Sequence, residues 1–83
     1  MNPRKTLDLI LHGSRNVRFG DFTRMVEAFG FRRQRITGSH HLFSRPGVPD
    51  LVNLQNVHGQ SKPYQVDQFM KLVEAHGLKL ERK

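Results

Sequence analysis

The sequence predicts an α+β domain in which two helices cover one face of a three-stranded antiparallel sheet, with a short extra helix at the N-terminus. Two observations lead there. Apolar residues recur at i, i+3, i+4, i+7 in two separate segments, Phe22-Met25-Val26-Phe29 and Val66-Phe69-Met70-Val73, which is the spacing of one amphipathic helical face. Between them the period changes to short runs separated by Gly, Ser and Pro, the pattern of strands and turns. A minor helix followed by αβββα places its helices on one side of the sheet and leaves the other side open.

Taken in order, Thr6 to His12 reads as the short helix, stopped by Gly13, with Ser14-Arg15-Asn16 as connector. The next helix starts around Gly20 and Asp21, the acid lying at the positive end of the dipole. Gly30 ends it in the left-handed C′ position, and Phe31 folds back as the apolar contact beyond the cap. Phe31 to Ile36 and His40 to Ser44 form a hairpin across Thr37-Gly38-Ser39. Pro46 to Asp50 reads as a loop, and Leu51 to Gln55 as the third strand, with Val52 and Leu54 on one face. Pro63 opens the last helix and His76-Gly77-Leu78 closes it, with Asp67 and Lys71 spaced as a favourable i, i+4 ion pair. Residues 1–16 read as an extension and 17–83 as a single domain.

Size and charge narrow the function. A chain of 83 residues buries only about 60–65% of the surface it exposes when unfolded, which excludes a two-domain enzyme with a deep cleft. There is no cysteine, so neither a disulfide framework nor a thiolate zinc site is available, and the cytoplasm is the expected compartment. No apolar run reaches the ~18–20 residues of a membrane span, and the first residues do not read as a signal peptide. Fourteen Lys and Arg against seven Asp and Glu give a formal net charge of +7. The surplus is concentrated. No acid falls between Glu27 and Asp50, while Arg32, Arg33, Arg35 and Arg45 do, together with His40 and His41. Such a span suits a polyanion, since each neutralised phosphate releases counterions. It also suits a basic surface kept for solubility.

Five histidines are the main source of groups that exchange protons near neutral pH. His12 and His76 adjoin glycines at helix ends, where a cation meets the negative end of the dipole. His58 is a loop residue before the last helix. His40 and His41 sit on a strand, so their rings point to opposite faces and at most one is free to react on the open side. That divergence also makes the pair a poor chelator, so no metal is expected. Gly38 lets a phosphate approach the backbone and Ser39 adds a hydroxyl beside the imidazole. Spacing alone favours reading the same stretch as turn chemistry with an incidental histidine pair.

The succession Phe29-Gly30-Phe31, a basic strand, Gly38-Ser39-His40-His41-Leu42-Phe43-Ser44-Arg45-Pro46, a third strand, and Lys62-Pro63-Tyr64-Gln65-Val66 opening a helix that closes at His76-Gly77-Leu78 resembles the HicA family of bacterial toxin–antitoxin toxins. The resemblance runs from about Val17 to Leu78. It implies a double-stranded-RNA-binding-like αβββα fold, ribosome-independent cleavage of mRNA without a cofactor, and neutralisation by a HicB-type antitoxin. The family's histidine follows the Gly-Ser pair, which falls on His40; some relatives carry it one residue later, which makes His41 the second choice. Two features depart from the family. Many members lack an equivalent of Met1 to Asn16, and Leu51 to His58 lacks the Val-Pro-x-His form common there.

The expected chemistry is attack of a ribose 2′-OH on the neighbouring phosphorus, with His40 as general acid or base. Arg33, Arg35, Gly38, Ser39, Arg45 and Lys62 are the expected RNA-binding residues. The alternative is an RNA-binding module of the same fold that does not cut. A third possibility is a basic face that only docks a protein.

Overall fold

The computed structural model describes residues 1–81. Its elements are α1 (Pro3–Leu11), α2 (Phe19–Ala28), β1 (Arg32–Thr37), β2 (His40–Arg45), β3 (Val48–Val57), β4 (Gln60–Ser61) and α3 (Pro63–His76). The chain is therefore α+β, with an antiparallel sheet in the order β1-β2-β3-β4 rather than the three strands expected. Among the described residues no helix is long and apolar enough to cross a membrane.

Helix α1 begins earlier than Thr6 because Asn2 caps it: the Asn2 Oδ1 accepts from the Lys5 N–H at 2.9 Å, and Pro3 occupies the first turn, where its missing N–H costs nothing. Thr6 and Ile10 are buried, and Ile10 joins the main core. Helix α1 thus adds Ile10 to the core built by α2, α3 and the sheet, with Leu7 packed against it. Arg15 adds a bond across the chain, its Nε donating to Asp67 Oδ1 at 2.7 Å. That contact engages the Asp67 carboxylate with Arg15, where an ion pair with Lys71 was expected.

Helix α2 buries Phe19, Phe22, Met25 and Val26, and α3 buries Val66 and Phe69. Phe69 is the hub. The rings of Phe22, Phe29 and Phe31 each meet it edge-on, with centroids 5.8, 5.7 and 5.4 Å away, the geometry that aromatic quadrupoles favour. At the end of α3, Gly77 takes φ +59° and the Leu78 N–H reaches the Val73 carbonyl at 2.9 Å, the expected Schellman closure. Gly30 is required by its φ of +94°.

The β1–β2 hairpin turns through Gly38 and Ser39 alone, pairing Thr37 with His40. Gly38, at φ +60°, holds the first central position that a type II′ turn reserves for glycine. Pro46-Gly47 forms a second two-residue turn, so Val48, Pro49 and Asp50, expected as loop, are already strand. Pro49 is tolerated because β4 pairs only with Asn56 and Val57, leaving that stretch of β3 at the sheet edge. Strand β4 follows a tight turn at His58 and Gly59, both with positive φ, at 51° and 85°. It is short, and the segment before α2 steadies it: the Ser61 N–H donates to the Val17 carbonyl and the Phe19 N–H to the Gly59 carbonyl, both at 2.9 Å.

Residues paired directly across an antiparallel ladder share a face, so the register sorts the side chains. Phe43, Val52 and Leu54 face the helices and are buried. Thr37, His40 and Gln55 share the other face, as do Arg35, Leu42 and Asn53.

Candidate functional site on the open face of the sheet

A bulge in β1 decides which arginines meet which histidine. Arg33 pairs with Phe43 and Arg35 with Leu42, so Gln34 is the extra residue. In a regular strand Arg33 and Arg35 would share a face; here they are on opposite ones. Arg35 joins Thr37, His40, Leu42 and Asn53 around a shallow concavity of about 330 Å³ on the open face. Arg33 lies on the helix side, its guanidinium carbon 5.3 Å from the centroid of the Phe43 ring.

The two histidines diverge as strand alternation requires. His40 is exposed, and its Nδ1 lies 3.3 Å from the Asn53 Oδ1. An amide oxygen accepts only, so the bond keeps the proton on Nδ1 and leaves the lone pair of the neutral ring on Nε2. His41 turns inward. Its ring sits edge-on to Phe19 with centroids 4.8 Å apart, and its buried Nδ1 has no hydrogen-bond partner among the described residues. Burial, and secondarily the positive charge of Arg33, push its pKa below the usual histidine value.

The remaining expected residues separate. The Ser39 Oγ accepts from the Gln55 Nε2 at 3.3 Å, and the Ser39 carbonyl accepts from the Asn56 N–H at 2.8 Å, which ties the turn to β3 beside His40. Among the described residues the Ser39 hydroxyl proton has no acceptor. Gly38 is adjacent and open, with nothing within 4 Å of a built Cβ; its positive φ alone accounts for the glycine. Lys62 precedes α3, beyond the β3 edge, with its ammonium 5.7 Å from the centroid of Tyr64.

Arg45 and Arg33 are not on this face. The Arg45 Nε donates to the Phe29 carbonyl at 2.9 Å, Nη1 to the Pro46 carbonyl at 3.2 Å, and Nη2 to Glu81 Oε2 at 2.9 Å. It serves the C-terminal end of α2 and meets Glu81 in the chain after α3. The other histidines follow their structural readings: His12 caps α1, and His76 lies in the last turn of α3, 3.9 Å from Asp50 Oδ2. Among the described residues no three of His, Asp and Glu cluster to hold a metal ion.

Asn53 is the member of the site that sequence reasoning missed. Inward-facing Val52 and Leu54 put Asn53 on the polar face, but only the register, Leu42 opposite Asn53, brings it to His40. Comparison with protein-family models, curated proteins and solved structures finds no significant match for this chain.

Proposed function

We propose that this chain is a HicA-like toxin that cleaves mRNA with His40, and that α2-β1-β2-β3-α3 forms a double-stranded-RNA-binding-like αβββα core. The observation that carries the reading is the His40–Asn53 pair. It presents a histidine on an open polar face with Nε2 unengaged and Arg35 on the neighbouring strand. Nε2 takes the proton of a ribose 2′-OH, the O2′–P bond forms, and the P–O5′ bond breaks, with solvent protonating the leaving oxygen. Arg35 and the Ser39 hydroxyl meet the charge that gathers on the phosphate oxygens. No residue in this scheme calls for a cofactor. A HicB-type antitoxin is the expected partner, because an acidic surface laid over this face both occludes RNA and neutralises charge.

The test is cleavage of RNA by the purified protein in EDTA and in Mg²⁺. His40→Ala should lower the rate by about 10²–10⁴, the usual worth of general acid–base help, while His41→Ala keeps the chemistry. Undiminished cleavage by His40→Ala sinks the mechanism. Binding without any cleavage by the wild type favours the non-catalytic module.

A further inference from the structure

We propose that Tyr64, with Lys62 beside it, is a stacking subsite for one unpaired nucleobase of single-stranded RNA, placed next to the His40 face. The proposal rests on the RNA reading above and deepens it by naming the form of RNA that the site takes.

The distribution of aromatic side chains is the first observation. The chain has six Phe, one Tyr and no Trp. All six phenylalanines, at positions 19, 22, 29, 31, 43 and 69, are in the buried core. Among the described residues the open face carries Arg, Thr, His, Leu, Asn and Gln but no Phe, Tyr or Trp. Bases of a single strand need a flat platform, and each is held by stacking on one. Among the described residues Tyr64 is the one exposed side chain of the Phe, Tyr or Trp type, with 54% of its surface exposed.

Its position is the second observation. His40 pairs with Gln55 across the β2–β3 ladder, the Gln55 N–H donates to Gln65 Oε1 at 2.8 Å, and the Gln65 Nε2 donates to the Tyr64 hydroxyl at 3.4 Å. This path links the phenol, through Gln65, to Gln55, the β3 residue that pairs with His40. The third observation is charge. Lys62 holds its ammonium over one face of the ring, 5.7 Å from the centroid, so a base stacks on the opposite face or displaces the ammonium toward its own phosphate; among the described residues no carboxylate is within ion-pair distance of Lys62. A base on the ring and a phosphate on the ammonium are the two halves of one nucleotide. A base so held has left its own stack, and this excludes a continuous duplex at that point.

Because Tyr64 is the only tyrosine and no tryptophan is present, its emission reports contact directly. In the full chain carrying His40→Ala, which is expected to slow cleavage far below the time of a binding measurement, a short single-stranded oligoribonucleotide should quench Tyr64 emission. In the same background Tyr64→Ala and Tyr64→Leu should weaken binding roughly 5- to 150-fold by fluorescence anisotropy, the range found for removing one base-stacking aromatic. Tyr64→Phe should bind as tightly as tyrosine, which separates stacking from any loss of the Gln65 contact. The same sequence as a duplex should bind more weakly and leave the emission unchanged. Tight binding of the single strand with unquenched Tyr64 and an unaffected Tyr64→Ala overturns the subsite and leaves the His40 reading standing. Duplex binding tighter than single-strand binding also overturns it. Failure of either form to bind at low salt removes the RNA reading and the subsite together.

Discussion

His40 and His41 are joined by one peptide bond, yet one ring reaches solvent with its Nδ1 on Asn53 and the other lies edge-on to Phe19 with its Nδ1 bare. The contrast continues along the hairpin. Leu42 lines the open concavity while Phe43 is fully buried, and Arg35 lines it beside His40 with no side-chain partner among the described residues while Arg45 is held by three acceptors. Each pair sets a residue on the open face against a neighbour or counterpart that holds the fold. Residue type alone therefore does not mark the site; the face does, and the face is set by register. The bulge at Gln34 makes the point most sharply, since it sends two arginines that look equivalent in the sequence to opposite sides.

Substitutions within these pairs can break the comparison. Phe43→Ala should cost about 3–5 kcal/mol of stability, the usual cost of emptying a buried aromatic site. Leu42→Ala, next along the strand, should cost about 1 kcal/mol or less. Chemical denaturation measures both, and equal losses would mean that the open face is itself packed. Next in size, Arg45→Ala should cost about 1–3 kcal/mol, chiefly by leaving the Phe29 carbonyl without its donor. The Glu81 pair adds little, because that carboxylate is more than half exposed. Arg35→Ala should leave the melting temperature in place and flatten the log–log salt dependence of RNA binding by about 0.7 per lost phosphate contact.

The smallest effect is in pH. The folded-state pKa of His41 is depressed, so below the ordinary histidine value the unfolded chain binds the proton first. Stability should therefore fall as pH drops from about 6.5 toward the lowered folded value, and should be independent of this group above that window. His41→Phe removes the term. Its melting temperature should decline less between pH 7 and pH 5 than that of the wild type, and parallel profiles would show that His41 titrates normally.

The parts of the fold legible in the sequence are those built on local rules. The i, i+3, i+4, i+7 apolar steps give α2 and α3, and Gly30 and Gly77 mark their ends through positive φ. Gly38-Ser39 marks the hairpin. What escaped depends on long-range pairing. Strand β4 has two residues and exists because the backbone around Val17 and Phe19 is beside it. Val48 to Asp50 looked like loop because Pro49 reads as a breaker, although an edge position needs no N–H. The run Arg32-Arg33-Gln34-Arg35 has no alternation to betray a bulge. Within the site, the opposition of His40 and His41 follows from strand period alone, whereas Asn53 as the partner of His40 depends on a register no local pattern states.

Strand β1 ends the sheet, and all six of its residues, three arginines among them, are exposed. A second copy adding its own β1 there would bring arginine against arginine at the strand spacing of about 4.8 Å, well inside the ~10 Å reach of charge at 0.1 M salt. At 1 M salt that reach shrinks to about 3 Å, shorter than the gap, and the guard on the unpaired edge is gone. The concentrated brine customarily used to strip nucleic acid from a basic protein is thus the condition under which this one is least protected from sticking to itself.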